Sequence, residues 1–141
     1  MNWLRRIIAL LFGGVFVYAG ALKLRDPGLF LIDIRSFDML PDPYAAWLAL
    51  WLPWLEILCG LAVITGVFRK GGLLVLNLAL IGFFIAIGLA KSRGLDIQCG
   101  CFGESDSSSN YFELFVRDGV LLSLGLVLAW LCHARHNSKL A

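Results

Sequence analysis

The sequence predicts an all-α fold: an integral membrane four-helix bundle with a short amphipathic helix in the first outer loop. Three observations predict it. Hydrophobic residues make up 60% of the 141-residue chain and charged residues only 16%, where a soluble domain carries about a quarter charged. Four apolar segments, at about 7–22, 44–68, 71–90 and 111–132, are long enough to cross a bilayer, which takes roughly 20 helical residues. Trp47, Trp51 and Trp54 cluster at one end of the second segment, while Trp3 and Trp130 mark the opposite face, the placement of aromatic belts at two membrane interfaces. One domain over residues 1–141 follows, with the lipid bilayer as its first partner. A net charge of +2 and the lack of a basic stripe with interleaved aromatics give no support for a nucleic-acid partner.

The first segment is the shortest. Arg5-Arg6, a brief apolar core and Ala19-Gly20-Ala21 imitate a signal peptide and its cleavage site; we read it as a retained span. Next comes Lys23-Leu-Arg-Asp-Pro-Gly-Leu-Phe30 and a mixed stretch ending at Pro41-Asp-Pro43. Phe30, Leu31, Ile34 and Phe37 recur there at helical spacing. That pattern fits a helix lying on the membrane surface, or a plain connector that buries its apolar side. Gly71-Gly72 after Arg69-Lys70 predicts a tight turn between the second and third spans. Asn110 with Glu113 three residues on is a capping box that starts the fourth.

Four spans put both termini on one side. That side holds Arg5, Arg6, Arg69, Lys70, Arg135 and Lys139 and no acid. The other side holds Lys23, Arg25, Arg35, Lys91, Arg93 and Arg117, together with every acid except Glu56. Lys and Arg are thus equally divided, and the positive-inside rule alone is a tie. Unrelieved basicity on the first side, and a cysteine pair that can cycle as a disulfide only outside a reducing cytoplasm, break the tie. The expectation is a bacterial inner (plasma) membrane protein with cytoplasmic termini and its cysteine loop on the outer face.

That loop carries Cys99-Gly-Cys-Phe-Gly103, two of the four cysteines one residue apart. A disulfide between Cys99 and Cys101 closes a very small ring. Bridged Cα atoms sit about 4.4–6.8 Å apart, so the tripeptide must turn, and Gly100 permits that. Strain makes such a bond more reducible, which suits exchange. Phe102 and Gly103 would complete a fixed turn against the bundle. Two other readings stand beside the redox couple: small apolar side chains or a disulfide that merely ties the loop, and a soft-metal grip. His133 and His136 fall on the opposite face, so no full ligand set is in view and no metal is assigned. Cys59 and Cys132 read as packing residues within their helices.

Glu56 lies inside an apolar run, roughly 7–14 Å beyond the tryptophans at 1.5 Å per residue. An intramembrane acid is costly unless paired or protonated, and is a functional hypothesis by default. Its candidate partners are Arg117 and Lys23. It is either a structural ion pair or a group that takes and gives the protons accompanying thiol oxidation.

Phe16-Val-Tyr-Ala-Gly-Ala-Leu-Lys23, Asp26-Pro27, Phe30, Pro41, Leu52-Pro-Trp-Leu-Glu56, Gly60, Gly94 and Cys99-Gly-Cys-Phe-Gly103 together resemble the MauE branch of DoxX-like membrane proteins, over about residues 8–130. The resemblance implies a four-helix inner-membrane bundle with a thiol-redox role, working beside a periplasmic thioredoxin-like protein in maturing a disulfide-rich amine dehydrogenase. Lys23, Asp26, Glu56, Cys99 and Cys101 are the positions carried over, with Arg117-Asp118 similar as well. The leading expectation is a membrane thiol–disulfide oxidoreductase in which Cys99 and Cys101 exchange with that partner or its substrate. Glu56 would move protons, with Lys23, Asp26, Gly100, Phe102, Gly103 and Arg117 in support. No sequence feature identifies the electron carrier; a membrane quinone is the candidate. A non-catalytic anchor for a maturation factor, and a soft-metal or small-molecule transporter, are the competing classes.

Overall fold

The computed structural model describes residues 2–94 and 111–140 and is helical, with no strand among them. The helices are α1 (Asn2–Arg25), α2 (Pro27–Ser36), α3 (Tyr44–Thr65), α4 (Arg69–Ser92) and α5 (Tyr111–Leu140). Four of them, all but α2, are long and apolar enough to cross a membrane. The expected bundle is therefore observed, and the chain is a multi-pass membrane protein. Arg135 Nη1 donates to Asn2 Oδ1 at 3.4 Å, which brings the two termini to one end of the bundle.

α1 packs chiefly along α3 and also meets α2 and α5. Its buried residues Ala9, Phe12, Phe16, Ala19 and Lys23 return every three or four positions, the stripe that one helix face demands. Phe12 and Phe16 join Val63 of α3, Leu73, Leu76 and Leu80 of α4, and Leu128 of α5 in the main core. α1 and α3 meet through glycine. A Cβ on Gly60 would stand 2.8 Å from the Gly13 carbonyl oxygen, and one on Gly13 would stand 2.6 Å from the Gly60 oxygen. In lipid, where apolar surface gains nothing by leaving the solvent, such close backbone approach is what holds helices together.

The turn between the second and third spans is not where the glycine pair predicts it. α3 ends at Thr65, short of 68, because Gly66 takes the left-handed conformation at φ 87° and returns its N–H to Ala62 O. Arg69 Nε then donates to Val63 O at 2.9 Å, satisfying a carbonyl that the helix end leaves open. Gly71 and Gly72 lie inside α4. Gly72 faces α3, where an added Cβ would come within 3.0 Å of the Cys59 oxygen. The pair thus serves helix packing, and Gly66 serves the turn. α1 and α5 also run beyond the expected 7–22 and 111–132.

α2 shows the connector behaviour rather than that of a free surface helix. Pro27 occupies its first turn and the Asp26 side chain accepts from Leu29 N at 3.2 Å, a cap for an otherwise orphaned donor. Phe30 and Ile34 pack on Ala45, Ala49 and Leu52 of α3, with Leu31 beside them. Phe37 joins Ile87 and Ala90 of α4. All four positions that recur at helical spacing therefore face the bundle.

Candidate functional site

Lys23 lies two residues before the end of α1 and is only 5% exposed. Its Nζ donates to both carboxylate oxygens of Glu56 on α3, at 2.7 and 2.8 Å. Glu56 is 2% exposed. The ammonium also lies 4.9 Å from the Phe30 ring centroid and 5.4 Å from that of Phe83. Rings at these distances favour a cation through their quadrupole. One atom of α1 thus engages α2, α3 and α4. Of the two partners considered for Glu56, the one that takes both its oxygens is Lys23.

The second half of the site comes from α5. Arg117 Nε donates to Asp118 Oδ1 at 3.1 Å, and Asp118 is buried. Lys23, Glu56, Arg117 and Asp118 together line a cavity of about 40 Å³, walled by Phe16, Phe83 and Ile87. The set carries two cations and two carboxylates, so it is neutral as a whole. Isolated charges are too costly to leave in an apolar bundle, and pairing is what makes their burial tolerable. A cavity holds a water from about 10–15 Å³ upward when it has polar partners, so this one admits solvent between the two ion pairs. The arrangement can hold buried charge in two ion pairs, with Arg117 as a fixed cation.

The site stands at the end of the bundle where residues 95–110 connect α4 to α5. Cys99, Gly100, Cys101, Phe102 and Gly103 lie outside the described residues, as does Asn110 of the capping box. Arg93, close by in sequence, donates from Nη1 to Asp38 O at 3.3 Å. Asp26 is brought to the α2 cap rather than into the charge cluster. Cys59 and Cys132 are half-buried free thiols packed on the main core. Among the described residues no group of His, Cys, Asp and Glu is arranged to hold a metal ion.

Sequence reasoning offered Arg117 beside Lys23 as a partner for Glu56 and named Asp118 only with Arg117 in the family resemblance, without a role. The available signal was an acid directly after an arginine, inside an apolar run, on the side where an internal carboxylate needs company. Phe83 was also missed, since one phenylalanine among ten carries no local mark of the cation beneath it.

A family model described as methylamine utilisation protein MauE matches residues 1–131. The chain is 34% identical over 111 residues to the methylamine utilization protein MauE of Methylorubrum extorquens, covering 77% of this chain and 59% of that protein. It is 30% identical over 128 residues to the Paracoccus denitrificans protein of the same name, covering 90% and 67%. A third such protein, from Methylophilus methylotrophus, is 32% identical over 105 residues, covering 73% and 55%. The match thus spans a little over half to two thirds of these relatives' own length. No solved structure matches the chain.

Proposed function

The chain belongs to the methylamine utilisation protein MauE family, and from that premise we propose that it is a membrane thiol–disulfide redox protein whose Cys99 and Cys101 exchange with a periplasmic thioredoxin-like partner or that partner's substrate. Methylamine utilisation, through maturation of a disulfide-containing dehydrogenase, is the proposed setting. The protein sits in the bacterial inner membrane with its termini in the cytoplasm and the Cys-Gly-Cys loop outside.

The observation that carries this reading is the buried Lys23–Glu56 pair. Both residues belong to the same sequence motif as the cysteines, and so do Phe30 and Gly60, which pack on or beside the pair's helices. Lys23 and Phe30 meet at the loop-bearing end of the bundle, while Gly60 packs on Gly13 midway along α1.

The exchange balances within itself. A dithiol on the partner becomes a disulfide as the Cys99–Cys101 disulfide becomes two thiols, by way of a mixed disulfide. Returning the pair to the disulfide removes two electrons and two protons. A membrane quinone, reduced to the quinol, accepts that number of each. Glu56 and Lys23 hold the floor of the site and exchange protons with it when their ion pair opens; Arg117 and Asp118 act alongside.

The test is differential alkylation with mass spectrometry on the purified protein across a series of glutathione redox buffers. The reading expects Cys99 and Cys101 to move together between dithiol and disulfide, and the Cys101→Ser variant to trap a mixed disulfide through Cys99, or the converse. A pair that stays reduced at every potential, or a double serine variant that keeps full function, would overturn it.

A further inference from the structure

At the termini end of the bundle a second cavity opens between α4 and α5. It has a volume of about 530 Å³ and is lined by Leu73, Leu74, Leu78, Ile81 and Leu126, with Trp130 at its rim. Its mouth carries Lys70 and His133. Both are exposed, and neither takes part in an ion pair among the described residues. We propose that this groove binds one anionic phospholipid, its phosphate against Lys70 and His133 and an acyl chain along the α4–α5 seam.

Three features argue for that occupant. The first is length. From Lys70 to Ile81 the α4 wall rises about 16 Å at 1.5 Å per residue, which is one leaflet of a hydrocarbon core about 30 Å thick. The groove begins at an interface and stops near the midplane. The second is the distribution of charge. Arg5, Arg6, Arg69, Lys70 and Arg135 share this end with no acidic side chain, so an anionic headgroup complements Lys70. Basic clefts between membrane helices select anionic headgroups for this reason.

The third is the contrast with the other large cavity. A groove of about 370 Å³ lies among α2, α3 and α4, lined by Ile34, Phe37, Met39, Leu52 and Phe83 among others, and no charged residue lines it. That groove accepts any acyl chain and offers no selection by headgroup. The α4–α5 groove differs by having a cation, Lys70, with the imidazole donor of His133, at one end only, the end where a headgroup sits.

Native mass spectrometry of the full chain, released from detergent containing equal amounts of phosphatidylglycerol and phosphatidylcholine with identical acyl chains, tests this. One phosphatidylglycerol is expected to remain bound in clear excess over phosphatidylcholine. Lys70→Gln lowers the ratio about fivefold, the worth of one surface cation, while Arg6→Gln, on the same face but outside the groove, leaves it within about twofold. Leu78→Trp fills the groove with every charge kept, and the bound lipid is lost. Equal retention of the two lipids overturns the proposal. So does an equal fall for Lys70→Gln and Arg6→Gln, or a Leu78→Trp protein that still carries its lipid.

Discussion

Lys23 Nζ bonds both oxygens of Glu56, at 2.7 and 2.8 Å, with each side chain almost wholly shielded. The pair ties the loop-side end of α1 to the middle of α3. Removing one member strands the other as an uncompensated charge, which costs about 3–5 kcal/mol. Replacing both with apolar residues of similar size is close to neutral by the same reasoning. Lys23→Met and Glu56→Leu are each expected to lower the thermal midpoint in detergent sharply, and the double variant to recover most of the loss. A double variant no better than the worse single one would show that the two residues act apart.

Arg117 and Asp118 yield a parallel expectation with a smaller magnitude. Asp118 is buried and Arg117 is about a third exposed, so solvent takes over part of what the arginine gives up. Arg117→Met destabilises the protein, and Asp118→Asn in the Arg117→Met background restores part of the loss. Thermal denaturation of the two single variants and the double gives the coupling directly.

Asp26 caps α2 through Leu29 N. Asp26→Ala is expected to cost about 1 kcal/mol and Asp26→Ser or Asn much less. Hydrogen exchange localises the effect to the first turn of α2. Faster exchange throughout the bundle with Asp26→Asn would mean that the carboxylate does more than cap.

Gly125 supplies a steric test at the α4–α5 contact. A Cβ there would run into Asn77 Oδ1 and stand 2.9 Å from Phe12 Cε2. Overpacking of this kind costs about 1–3 kcal/mol. Gly125→Ala lowers stability, and adding Asn77→Ala relieves most of it by removing the obstructing amide. Gly119→Ala, on the same helix with nothing within 4 Å, is expected to be neutral or stabilising. Melting curves of the four proteins separate a packing requirement from a general intolerance of alanine in α5.

The four spans were legible because length and apolarity are properties of a segment alone. Glu56 stood out for the same reason, as an acid where lipid tolerates none unpaired. Which cation answers it depends on how α1 and α5 are rotated about their axes, and the choice between Lys23 and Arg117 needed the packed bundle. The apolar side of α2 was visible in Phe30, Ile34 and Phe37, while its support, α3, was not. Gly71-Gly72 reads as a breaker in isolation. It becomes helix because α3 lies against Gly72 and because Gly66 had already made the turn. Cys99 and Cys101 were the plainest signal in the sequence, and the chemistry proposed for them rests on that signal, since both lie outside the described residues.

The caged ammonium of Lys23 bears on how the chain enters the membrane. α1 emerges from the ribosome with Lys23 near its loop-side end and the carboxylate that will pair with it, Glu56, still to come. A lysine deep in lipid opposes insertion by about 2.5–3.5 kcal/mol, and the flexible stem relieves part of this by reaching toward the headgroups. Glu56 follows only with α3, a separation of 33 residues. The closed, neutral pair therefore exists only after both helices have crossed, and the ion pair makes α1 and α3 a single unit of insertion, with α2 folding down over a joint already made.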